Sequence, residues 1–73
     1  QLTKLETLTQ KLDREVKYYN EHQNSLYQDT KIRSQNTIIA LCNELMQNGV
    51  TIDNKNVKVL QAIINERNGG KSL

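Results

Sequence analysis

The residues that could do chemistry are few. His22 is the one histidine of the chain and Cys42 the one cysteine. A general base needs a nucleophile or a bound substrate within reach. His22 has Tyr18, Tyr19, Glu21 and Asp29 near it in sequence, but no nucleophile and no phosphate-binding glycine loop, so it reads as a surface or seam histidine. Cys42 sits among Ile38, Ile39, Leu41 and Leu45 with no basic neighbour to lower its pKa, and reads as a buried, inert thiol. One cysteine excludes an internal disulfide, and with one histidine there is no set of zinc ligands. Gly69-Gly70 follow a helical pattern, the reverse of the order a phosphate-cradling loop requires. The expectation is a non-enzyme with no metal and no cofactor.

Two surfaces could instead recognise a macromolecule. Tyr18, Tyr19, His22, Leu26 and Tyr27 form the densest group of rings. It reads equally as an exposed anchor patch or as packing within an oligomer. Further on, Asn54, Lys58, Gln61 and Asn65 follow steps of four, three and four, lining one helix face with base-reading side-chain types, and Lys55, Arg67 and Lys71 flank it. The preceding helix, a turn at Gly49 and this helix have the outline of a helix-turn-helix. The detail departs from it: Asn48 and Lys58 fall where buried apolar residues belong, and Leu45 where a small residue belongs. Charge adds little, since the net +2 divides evenly, +1 in residues 1–33 and +1 in residues 34–73.

The elements that position these residues are helices. No proline occurs and the first glycine is Gly49, so neither of the strongest helix breakers interrupts the first two thirds of the chain. Leu2, Leu5, Leu8, Leu12, Val16, Tyr19 and Leu26 advance in steps that keep one face apolar, and Asp13 and Lys17 stand in the favourable acid-first i,i+4 order. Residues 27–37 are nearly all polar and predict a boundary, with Ser34 or Asn36 as the N-cap of a second helix carrying Ile38, Leu41, Cys42, Leu45 and Met46 on a face that Ile39 widens. The alternative is one unbroken helix. Asn48-Gly49 predicts a left-handed stop, Asp53 the next N-cap, and Val57, Leu60 and Ile64, with Val59 and Ile63 beside them, the apolar face of a last helix that Asn68-Gly69-Gly70 closes.

With Leu5, Leu12, Tyr19 and Leu26 at heptad position d, position a holds Leu2, Thr9, Val16, Gln23 and Thr30, a seam only half apolar. Leu8 falls at g and widens the stripe toward what a bundle helix buries. At 73 residues with 36% hydrophobic and 4% aromatic content, the chain has little core and needs a partner subunit to add to it. No apolar run approaches the ~18–20 residues of a membrane span, and the unpaired thiol fits an intracellular compartment.

The sequence therefore predicts an all-α fold: a long amphipathic, coiled-coil-like helix over 1–33, a short helical hairpin over 34–68 and a flexible tail over 69–73, associating as a dimeric helical bundle. Leu5, Leu8, Leu12, Val16, Tyr19 and Leu26 are the expected association surface, toward a second copy or a helical segment of another protein. The expected role is an interaction module, an adaptor or scaffold subunit. The alternative is a dimeric DNA-binding accessory protein using Asn54, Lys55, Lys58, Gln61 and Arg67.

Overall fold

A computed structural model describes residues 2–25 and 27–69. Among them are three helices, α1 (Lys4–His22), α2 (Gln28–Gln47) and α3 (Asn54–Arg67), and no strand. They pack up-down-up. An ion pair from Lys4 to Glu44, 3.5 Å, ties the start of α1 to the end of α2, and Arg67 at the end of α3 reaches Ile32 and Asn36 near the start of α2. None of these helices is long and apolar enough to cross a membrane.

Each end has a local cause. Thr3 opens α1 with a capping box: its hydroxyl accepts from the Glu6 amide at 3.1 Å, and the Glu6 carboxylate accepts from the Thr3 amide at 3.0 Å. These bonds hold the Glu6 carboxyl below its usual pKa. The cap is complete near neutrality and weakens as acid protonates Glu6. Gly49, at φ +76°, ends α2 in a Schellman motif, with the Val50 amide donating to Leu45 and the Gly49 amide to Met46. Gly69, at φ +72°, follows α3, its amide donating to Glu66. Asp53 stands at the N-cap of α3, but its backbone carbonyl rather than its side chain accepts, from Asn56 and Val57.

The boundary between the first two helices lies at 23–27, not within 27–37. Ser34 and Asn36 are not N-caps; both lie inside α2, which starts after Tyr27 without a side-chain cap. The polar stretch is helical because its polar side chains are used in tertiary contacts. Buried Ser34 donates to Glu15 on α1 at 2.6 Å, and buried Gln35 binds Tyr19 on α1. The chain breaks instead at Gln23-Asn24-Ser25, where Ser25 closes a turn onto His22.

The core is Leu12, Val16 and Tyr19 from α1, Ile38, Cys42 and Leu45 from α2, and Ile63 from α3, with Leu5, Leu8, Leu41 and Leu60 partly buried against it. Leu12, Val16 and Tyr19 of the N-terminal stripe are thus covered by helices of their own chain, Leu5 and Leu8 are partly so, and Leu2 is 53% exposed. Ile64 is 44% exposed and Met46 49%, so neither belongs to the core face assigned to it. The buried face of α3 is centred on Ile63 and, seven residues before it, on Asn56, a polar residue that periodicity alone reads as surface.

Gly49 has nothing within 4 Å of where a Cβ would stand, so Gly49→Ala meets backbone strain without a clash. Urea denaturation should show a loss of about 1–2 kcal/mol, with unchanged helical content by circular dichroism.

Candidate interaction surface

α3 buries Ile63 fully and packs Val59 and Leu60, partly buried, against the core, and polar bonds add to this contact. Gln35 is the centre of these bonds. Its amide nitrogen donates to the Tyr19 hydroxyl at 2.9 Å and to Glu66 at 3.4 Å, and its oxygen accepts from Arg67 Nε at 3.1 Å. Arg67 Nη2 donates on to Asn36 Oδ1 at 2.6 Å and to the Ile32 carbonyl at 3.3 Å. Lys31 pairs with Glu66 at 2.8 Å, and this bond raises the lysine's pKa. At the other end of α3, Asn56 donates to Asp13 Oδ1 at 2.8 Å.

These bonds set the rotation of α3, and that rotation creates a surface. On α2, Ile32, Ile39 and Met46 recur every seven residues; Ile32 is 42% exposed and Ile39 half-buried. On α3, Val57, Leu60 and Ile64 follow steps of three and four, the first two half-buried. Arg67 joins α3 to α2 at the Ile32 carbonyl and Asn36. Isolated exposed apolar residues are ordinary on any protein. Ile32, Met46 and Ile64 are the exposed members of these stripes, while Ile39 and Leu60 also pack against the core; apolar side chains left exposed on adjacent helices are candidates for a docking surface. One helical turn beyond them stand Asn36, Asn43, Gln61 and Asn68, all amides and all exposed.

The other candidate residues are dispersed. Of the expected association surface, Leu12, Val16 and Tyr19 are buried, Leu5 and Leu8 are partly buried, and Leu26 lies outside the described residues. The rings separate: Tyr19 is in the core, Tyr18 meets His22 in a tilted ring contact with centroids 4.8 Å apart, and Tyr27 is 84% exposed. Asn54, Lys55, Lys58 and Gln61 are exposed on α3, whereas Arg67 is engaged by Gln35, Asn36 and Ile32; Lys71 lies outside the described residues. Burial pushes the Cys42 thiol up, away from the reactive range. Asp13 serves Asn56 rather than an ion pair with Lys17. A cleft of about 400 Å³ opens between α1 and the start of α3, lined by Asp13, Arg14, Lys17 and Lys55 among others. The missed residues, Gln35 and Asn56, carry no signal at the level of residue type.

Tyr19→Phe should cost about 1 kcal/mol, the net worth of one hydrogen bond, and Gln35→Leu about 1–3 kcal/mol, because it strands the Tyr19 hydroxyl and a charged donor. The double variant, measured by chemical denaturation, should cost less than the two single losses added together, since both act on one bond.

Comparison with protein-family models, with curated proteins and with solved structures finds no match to this chain.

Proposed function

We propose that the chain is a non-enzymatic protein–protein interaction module, an adaptor or scaffold subunit that associates by helix–helix packing. The carrying observation is the paired apolar stripe of Ile32, Ile39 and Met46 on α2 with Val57, Leu60 and Ile64 on α3. Leu12, Val16 and Tyr19 of the α1 stripe lie in the core, which favours the α2–α3 face over α1 for docking. A second copy or an amphipathic helix of another protein would bury it equally well, forming a larger helical bundle. A single buried thiol suits work inside the cell.

The second reading, nucleic-acid binding, draws on the exposure of Asn54, Lys55, Lys58 and Gln61 along α3. It loses Arg67 to the fold, and the turn before α3 spans six residues, 48–53, longer than the three or four of a helix-turn-helix.

A photo-crosslinking residue placed at Met46 should give protein adducts that one at Lys17 does not, and Ile64→Glu in the same chain should abolish them. Equal yields at the two positions, or adducts indifferent to Ile64→Glu, would remove this face as the docking surface. For the second reading, duplex DNA titrated at low salt should show binding that weakens steeply as salt rises; no binding at low salt eliminates it.

A further inference from the structure

Nine asparagines occur in the chain, and two of them, Asn48 and Asn68, precede glycine. Asparagine is chemically labile, because its side chain can react with the backbone of the next residue. The following amide nitrogen loses its proton to hydroxide and attacks Cγ. The new N–C bond closes a succinimide ring, and Nδ2 takes a proton from water and leaves as ammonia. Water then opens the ring at either carbonyl, giving aspartate or isoaspartate. Glycine, without a Cβ, leaves the attacking nitrogen least hindered.

The two dipeptides are alike in sequence and in local backbone. Asn48 has φ −96° and ψ 12°, Asn68 has φ −86° and ψ 13°, and each stands before a glycine at positive φ. Both asparagines are exposed.

They differ in what must move. Closing the ring turns the peptide about the asparagine Cα–C bond, so the chain beyond that bond swings with it. At Asn48 this breaks the bond from the Gly49 amide to Met46 and the bond from the Val50 amide to Leu45, both 3.0 Å. It also pulls Val50 and Ile52 off the core they pack against. The reacting side chain is itself held, its Nδ2 donating to the Glu44 carbonyl at 2.8 Å. At Asn68 the same rotation breaks one bond among the described residues, from the Gly69 amide to Glu66 at 3.0 Å. Arg67 and its bonds to Gln35, Asn36 and Ile32 lie before the rotating bond and stay in place.

We propose that Asn68-Gly69 is a site of spontaneous deamidation in the folded chain, and that the fold protects Asn48-Gly49 from the same reaction. Opening that breaks a single bond at a helix end costs little, whereas opening that uncovers core costs a large part of the global stability. The product places a carboxylate beside Arg67 at the end of α3, where the helix already carries a partial negative charge.

Ageing the full chain in mildly alkaline buffer, folded and in guanidinium, with both dipeptides followed by peptide mapping and mass spectrometry, tests this. In guanidinium the two sites should react at matching rates, because sequence alone acts there. In the folded chain Asn48 should react about tenfold or more slowly than Asn68, the factor that the additional hydrogen bonds at Asn48 impose on its opening. Equal rates in the folded chain would overturn the protection of Asn48. A difference of the same size in guanidinium would overturn it too, by tracing the contrast to sequence rather than fold. Asn68 left unreacted in the folded chain, over the time in which it converts in guanidinium, would overturn the site itself.

Discussion

The position of α3 depends on one buried amide. Gln35 is 3% exposed at the junction of the three helices, and its hydrogen-bonding groups are met from α1 by Tyr19 and from α3 by Glu66 and Arg67. A buried amide left unpaired costs more than a pairing gains, so the arrangement that satisfies Gln35 excludes its neighbours. Sliding α3 by one turn would remove Arg67 from Gln35 and from the Ile32 carbonyl together. Apolar packing specifies the position less sharply, with Ile63 fully buried and Val59 and Leu60 only partly buried against the core.

The same requirement determines what remains outside. Asn56 and Ile63 lie seven residues apart and face inward together, Asn56 held by Asp13. Turning this polar residue into the core carries Ile64 outward, to 44% exposure, and leaves Val57 half-buried. The Asn56 Oδ1 has no partner among the described residues and is closed off from solvent, so this register is held at some cost. An apolar register built on Leu60 and Ile64 would strand Asp13 from Asn56 and displace Arg67. Polar specificity and apolar coverage oppose each other here, and the polar network prevails.

That conflict decides what the sequence discloses. The all-α class, the apolar face of α1, the Gly49 stop and the Asp53 start are legible because each is a local pattern: period, glycine, cap. The Thr3 capping box was equally legible, as threonine followed three residues later by Glu6. The start of α2 and the rotation of α3 were not. Ser34, Gln35 and Asn56 are buried against partners 19, 16 and 43 residues away, and a polar residue type defaults to solvent until its partner is located in space. Reading Ser34 as a cap and Ile64 as core are both consequences of that default. The docking face inherits the difficulty, because Ile32, Ile39 and Met46 become a surface only once α3 has been set beside them.

The apolar face and the light docking of α3 are therefore one feature. A chain without Phe or Trp has little area to bury, and spending inward positions of α2 and α3 on Ser34, Gln35 and Asn56 leaves Ile32, Met46 and Ile64 exposed on the outside. Whatever covers that face binds the folded chain and not the unfolded one, so it adds stability by mass action, about 1.4 kcal/mol when its free concentration is tenfold above Kd. Covering Ile64 and Leu60 also holds α3 against α2 from the side opposite α1, reinforcing the bonds that Gln35 and Arg67 make from within. Association and the placement of α3 are then coupled through the same helix. The polar network chooses where α3 lies, and burial of the outer stripe strengthens that choice.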